Sequence, residues 1–205
     1  MEKGIFITLE GVDGAGKSSH TDWLCQYFQA LGCEVVLTRE PGGTEIGEQL
    51  REMLLHQDMS QATEVLLMFA ARQESLEQII KPALRMGKVV ISDRFTDSTY
   101  AYQGGGRGFN KDKIAALAQW VHADVDLDLT LLFDVPIEVA RARLQATRVL
   151  DRFEREEENF FLAVQQSYHE CVALNPQRYY VVDSTQSIET IRQHLKQFLD
   201  LRFVA

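Results

Sequence analysis

The chain has 205 residues, 45% hydrophobic and 25% charged, the proportions of an ordinary globular protein with one domain. Its 30 acidic and 21 basic residues leave a formal charge of −9, which excludes a nucleic-acid polymer as partner and argues against an anionic membrane surface. No apolar run approaches the roughly 20 residues of a membrane span. Cys25, Cys33 and Cys171 offer no C-x-x-C spacing, and the start carries no signal-peptide pattern, so the expectation is a reduced, cytoplasmic protein.

Short apolar runs alternate with longer stretches of helical periodicity, the pattern of a parallel sheet whose crossovers are helices. The first run, Ile5-Phe6-Ile7-Thr8-Leu9, leads to Gly11-Val12-Asp13-Gly14-Ala15-Gly16-Lys17-Ser18, which fits G-x-x-x-x-G-K-[ST] between a strand and a helix. Glycines here let successive N–H groups turn toward an anion, Lys17 brings charge to the β- and γ-phosphates, and Ser18 offers a hydroxyl to Mg²⁺. The helix that follows carries Trp23, Leu24, Tyr27, Phe28 and Leu31 at helical spacing, presents its positive end to the loop, and is expected to stop at Gly32. The motif implies a nucleoside triphosphate with Mg²⁺. A guanine reader, Asn-Lys-x-Asp, has no match, because Asn110-Lys111-Asp112-Lys113 ends in lysine.

The second run, Val35-Val36-Leu37, precedes Thr38-Arg39-Glu40-Pro41-Gly42-Gly43-Thr44, with Thr44 placed as the N-cap of a helix bearing Ile46, Leu50, Met53 and Leu54. Arg39 and Arg51 beside this strand end suit either anion binding or surface ion pairs. Residues 61–86 form a long helical pattern that Pro82 is expected to kink or break. The third run, Val89-Val90-Ile91, ends in Ser92-Asp93-Arg94. An aspartate there either holds Mg²⁺ through its waters or caps a turn, and the adjacent guanidinium presents fixed donors to a phosphate. Further helices are expected over 111–123, 136–143, 155–174 and 187–203, around the runs Leu129-Thr130-Leu131-Leu132-Phe133 and Tyr179-Tyr180-Val181-Val182. The first helix after the fourth strand begins with Pro136 and leads into Arg141, Arg143, Arg148 and Arg152. That series reads either as a solvated basic face offset by Glu154 to Glu158 or as charge for a migrating phosphoryl group.

Four segments together resemble the bacterial thymidylate kinases, a family of P-loop nucleoside monophosphate kinases. They are Glu10 to Ser18, Thr38 to Thr44, Asp93-Arg94-Phe95-Thr96-Asp97-Ser98-Thr99-Tyr100-Ala101-Tyr102-Gln103, and Leu150-Asp151-Arg152-Phe153-Glu154. The resemblance implies an α/β fold, a single P-loop domain with a five-stranded parallel sheet flanked by helices and a short lid near 141–155. It also implies transfer of a phosphoryl group from MgATP to dTMP in a homodimer. The donor would lie on Gly11, Val12, Asp13, Gly14, Ala15, Gly16, Lys17, Ser18 and Ser19, with Arg148 from the lid, and Mg²⁺ near Ser18 and Asp93. The acceptor would have its thymine on Phe69, its O4 at Arg72, its base edge by Ser98 and Thr99, its sugar against Tyr102 and Asp13, and further contact from Gln103. Arg94 would bind its phosphate, supported by Arg39 and Arg51. Lys17, Asp93, Arg94 and Arg152 form the catalytic set, with Arg152 expected on the migrating group because Ala15 stands where some relatives carry a P-loop arginine. The competing expectations are a kinase for another monophosphate and an ATP-gated regulatory protein.

Overall fold

The computed structural model describes residues 4–145 and 151–204. Each apolar run is a strand: β1 (Ile5–Glu10), β2 (Val35–Arg39), β3 (Val89–Asp93), β4 (Leu129–Asp134) and β5 (Tyr179–Asp183). All pair in parallel in the order β2-β3-β1-β4-β5. Every strand extends past its apolar run and ends on a polar residue, namely Glu10, Arg39, Asp93, Asp134 or Asp183. The apolar run marks where helices cover the sheet; the hydrogen-bond ladder continues into the carboxyl edge, where ligands bind in such sheets.

Between the strands lie α1 (Ser18–Ala30), α2 (Glu45–His56), α3 (Gln61–Ser75), a π-helical turn Leu76–Ile80, α4 (Lys81–Arg85), α5 (Thr96–Thr99), a π-helical segment Tyr100–Gly106, α6 (Lys111–His122), α7 (Ile137–Gln145), α8 (Glu158–Leu174) and α9 (Ile188–Phe203). Thr44 and Ser187 cap α2 and α9 as expected, accepting from the N–H of Gly47 at 3.0 Å and of Thr190 at 3.1 Å. Pro82 does not interrupt the chain's helical course. The π turn hands over to α4, where the proline sits in the first turn, the place where a missing N–H costs least. The helical stretch Thr96–Gly106 was not expected from periodicity; α5 is a single turn, and the π-helical part does not follow the 3.6-residue repeat.

Strand residues alternate between two layers. Ile7, Leu9, Val89 and Ile91 pack in the large cluster that includes Leu24 and Phe28 of α1 and Leu195 and Leu199 of α9. Phe6 and Val90 face the other way, against Leu76, Ile80, Ala83 and Phe95. Glu10 shares the Phe6 side, so its carboxylate enters the layer built by residues 94–103 and α8. After β3 the chain crosses to the far side of β1, so the loop at the end of β1 opens where the strand order reverses. Among the described residues no helix is long and apolar enough to cross a membrane.

Candidate active site

The loop from Gly11 to Lys17 keeps its shape through two glycines that no other residue replaces. Gly11 and Gly14 have φ of +138° and +81°, and a Cβ on either would strike a backbone carbonyl, of Phe133 or of Ala140 respectively. Val12 and Ala15 are buried at 3% and 0% exposure, so they offer a ligand only backbone, whereas Ser18 and Ser19 are exposed at the start of α1. Lys17 is buried and folds back over the loop, with Nζ donating to the carbonyls of Gly11 at 3.0 Å and Val12 at 3.3 Å. Burial, then the nearby Arg94 guanidinium, push its ammonium below the usual lysine range.

Arg94 has a φ of +73°, a left-handed conformation that is strained for a side chain of this size. It aims the guanidinium from the end of β3 at the same loop, donating to the Gly11 carbonyl (3.0 Å), to Asp13 Oδ1 (2.6 Å) and to the Tyr102 hydroxyl (3.0 Å). Lys17 and Arg94, from two different loops, therefore meet on one carbonyl oxygen. Tyr102 donates in turn to Asp13 Oδ2 at 2.6 Å and accepts from the Asp13 N–H at 3.0 Å. Burial alone would raise the Asp13 pKa; the charges of Arg94 and Lys17 outweigh it and hold the carboxyl at about 2.

Behind Arg94 lies Glu10, fully buried, accepting from the Phe95 N–H (2.7 Å), Ser98 Oγ (2.6 Å) and the Tyr168 hydroxyl (3.0 Å). Burial raises its pKa to about 7, with the Asp97 charge adding to the shift and the Ser98 hydrogen bond opposing it. The bond to Phe95 fixes the residue next to the strained Arg94 backbone.

A cavity opens beside this cluster, lined by Asp13, Glu40, Pro41, Arg51, Leu55, Met68, Arg72, Arg94, Phe95, Ser98, Thr99, Tyr102, Gln103, Asp151 and Phe153. Seven residues expected around the acceptor meet here: Asp13, Arg51, Arg72, Arg94, Ser98, Thr99, Tyr102, with Gln103 as an eighth. Arg72 is almost fully buried, paired with Glu40 Oε2 at 2.7 Å and donating to Thr99 Oγ1 at 3.1 Å. Among the described residues its Nη1 and Glu40 Oε1 find no partner, so the cavity wall carries a donor and an acceptor still to be used.

Three of the expected residues point elsewhere in this structure. Phe69 does not line this cavity. It packs with Val65 and Ile114 toward α6, and its ring supports the Arg72 guanidinium from outside, 4.6 Å from centroid to Cζ. Met68 lines the cavity instead, because one step along a helix turns the side chain by about 100° and Met68 stands four residues before Arg72. Arg39 is half exposed and forked onto Glu48, Nη2 to Oε2 at 2.8 Å, outside the cavity; Glu48 also takes the Gly43 N–H and so fixes this arrangement. Arg152 turns away from the phosphate loop, onto Glu64 Oε2 at 2.7 Å and the Leu54 carbonyl at 2.9 Å. Arg148 lies outside the described residues.

A second cleft adjoins the loop, lined by Ala15, Gly16, Ser19, His20, Arg143, Ser184, Gln186, Ile188 and Ile191. Arg143 reaches from α7 beside Gly16 and donates to the Ser184 carbonyl at 2.9 Å. The sequence had Arg143 only as one of a run of lid arginines, and Met68 and Glu10 carried no role; their signals are an i,i+4 spacing to Arg72 and a carboxylate directly after an apolar strand. Asp93, at the end of β3, has its Oδ1 buried with no hydrogen-bond partner among the described residues, close enough to Lys17 to favour the ammonium. No group of three acidic, histidine or cysteine side chains among the described residues stands ready for a metal. One free carboxylate oxygen and a hydroxyl at a helix start are nevertheless the donor set Mg²⁺ takes when phosphates and water complete its shell.

The family model described as thymidylate kinase matches residues 9–195. The chain is 56% identical over 196 residues to a thymidylate kinase of Janthinobacterium sp. (strain Marseille), covering 96% of each chain. It is 55% identical over 193 residues to that of Bordetella pertussis, covering 94% of this chain and 93% of the relative. The crystal structure of thymidylate kinase from Ehrlichia chaffeensis superposes with a TM-score of 0.79 at 34% identity, covering 97% and 99% of the two chains.

Proposed function

The chain belongs to the thymidylate kinase family of ATP-dependent phosphotransferases, and from that premise we propose how its residues carry a phosphoryl group from ATP to dTMP. The observation that carries the reading is the meeting of Lys17 and Arg94 on the Gly11 carbonyl, each at 3.0 Å. Two cations this close serve two phosphates brought together, one on the phosphate loop and one in the cavity beside it. When those phosphates bind, both side chains exchange a carbonyl for anionic oxygens, which are the stronger partners.

The donor lies along Gly11 to Ser19, its phosphates on backbone N–H groups and Lys17, its base in the cleft between Arg143, Ser184 and Gln186. Asp93 and Ser18 would hold Mg²⁺, which would supply charge neutralisation to the phosphates. In the cavity, Arg94 and Arg51 take the acceptor phosphate. Met68 packs on the base, and Arg72 Nη1 is the free donor for a ring carbonyl. Tyr102, locked to Asp13 by two hydrogen bonds, presses on the sugar where a 2′-hydroxyl would lie.

The acceptor phosphate is mostly dianionic at neutral pH, so its oxygen attacks the γ-phosphorus in line without a general base. Lys17 and Arg94 align the two groups and offset the charge that gathers between them. No covalent enzyme intermediate forms. The whole chain acts as one kinase domain in the cytoplasm, with residues 141–155 as the lid. It pairs with a second copy through the face of α3 and α6, where Leu66 and Trp120 stand 55% and 81% exposed beside Phe69, Leu117 and Val121. ADP formation with ATP and a panel of monophosphates tests the reading. Fast turnover with dTMP is expected; equal turnover with other monophosphates, or slow hydrolysis indifferent to any acceptor, overturns it.

A further inference from the structure

Glu64, in the first turn of α3, is 1% exposed and lies outside both clefts. Three donors from separate parts of the chain converge on it. Gln103 Nε2 reaches Oε1 at 2.8 Å, Arg107 Nε reaches the same oxygen at 3.0 Å, and Arg152 Nη2 reaches Oε2 at 2.7 Å. Gln103 lines the acceptor cavity; Arg152 stands in sequence between Asp151 and Phe153, which line it too. Arg152 is also tied to the Leu54 carbonyl by Nε and Nη2, at 3.1 and 2.9 Å, and Arg107 reaches Glu156 at 2.9 Å. Both guanidiniums lie against the Phe153 ring, at 4.7 and 5.4 Å from its centroid, and that ring meets Tyr102 edge-on at 6.2 Å.

A buried carboxylate between two guanidiniums is a poor source of stability in itself, since desolvating the charges cancels much of their attraction. It is, however, a strong geometric constraint, because each partner removed leaves a buried charge unmet. We propose that Glu64 is a positioning residue for phosphoryl transfer: it fastens the segment around Arg152 and the Gln103 side chain to one point, so that both contributors to the acceptor cavity are set together. Arg152 then serves as the lid's anchor, with its charge spent on Glu64. The proposal rests on the kinase reading only for what the cavity holds.

The test compares wild type, Glu64→Gln and Arg152→Met. In Glu64→Gln the amide keeps the shape but leaves one guanidinium facing an N–H group. The KM for dTMP is expected to rise about tenfold, the worth of one charge-assisted hydrogen bond, with the KM for ATP within about twofold of wild type. Arg152→Met gives the same split, and the double variant is no worse than either single one, because all act through one contact. Amide hydrogen exchange in 151–157 and 100–107 accelerates in each variant while the central strands keep their protection. A purely structural role lowers the melting temperature and leaves the ratio of the two KM values alone. A fall in kcat for Arg152→Met at constant KM, multiplying with Glu64→Gln, would put Arg152 on the migrating phosphoryl and overturn the proposal, as would unchanged exchange in both segments. Failure of the kinase reading shows separately, as wild-type enzyme that makes no ADP in response to dTMP while the exchange difference persists.

Discussion

Glu10 carries an ionisation that its place in the fold makes costly. Its carboxyl titrates at about 7 in the folded chain against 4.5 as the ordinary value, burial being the main cause. Between those pH values the folded state holds a proton that the unfolded state has released, so this residue makes stability fall as pH rises through the window and leaves it level above. Urea unfolding of wild type and Glu10→Gln at a series of pH values checks the sign. The variant lacks the component, so its advantage over wild type grows from pH 5 to 7 by an amount on the order of a few kcal/mol; parallel profiles would contradict the assignment. The same residue scale explains Met68 and Phe69. Adjacent on α3, they face different surroundings, and the aromatic supports Arg72 from behind while the thioether meets the cavity. Methionine adapts its shape to irregular contacts, which suits it to packing on a flat ring.

At the scale of elements, the π-helical segment Tyr100–Gly106 does the positioning that a regular helix would not. It brings Tyr102 and Gln103, adjacent in sequence, onto one cavity wall. Its glycines let α8 approach closely: a Cβ on Gly105 would lie 2.7 Å from the Ala163 carbonyl oxygen and from Ser167 Cβ. Tyr168, one residue further along α8, reaches Glu10 and Arg94 only because of that approach. Gly105→Ala is therefore expected to push α8 outward, destabilising the fold by about 1–3 kcal/mol through overpacking and raising the KM for dTMP more than that for ATP. Thermal unfolding and steady-state kinetics of the variant measure both effects; a wild-type KM for dTMP alongside lowered stability would separate α8 from the acceptor site.

At the scale of the whole molecule, the exposed apolar face of α3 and α6 is the proposed place for a second copy. Trp120, at 81% exposure, is the largest side chain there. Wild type is expected to sediment with the mass of two chains and Trp120→Glu with the mass of one, since a carboxylate in an apolar interface has no partner to offset its desolvation. Wild type sedimenting as a single chain would reject this face as an interface. The net charge of −9 does not oppose anionic ligands, because basic side chains are gathered at the sheet's carboxyl edge: Lys17, Arg51, Arg72 and Arg94 all border the loop or the cavity.

The sequence by itself determined the five parallel strands and the phosphate-loop motif. Each of these depends on short-range pattern: apolar runs long enough to be covered on both faces, glycines where the backbone turns left-handed, and caps one turn from what they cap. The family resemblance named Arg51, Arg72, Arg94, Ser98, Thr99, Tyr102 and Gln103, and the fold brings these to one cavity. The tertiary structure decided what each side chain faces. Phe69 and Met68 differ by a rotation that no composition reveals. Arg39 and Arg152 are cations in the right neighbourhood, yet each is claimed by a carboxylate from another element, Glu48 and Glu64. Glu10 is an ordinary acidic residue until the fold buries it against Phe95, Ser98 and Tyr168. Local pattern fixes where the chain turns, while the partner of a charge is set by residues up to 173 positions away, brought near only when the sheet is complete.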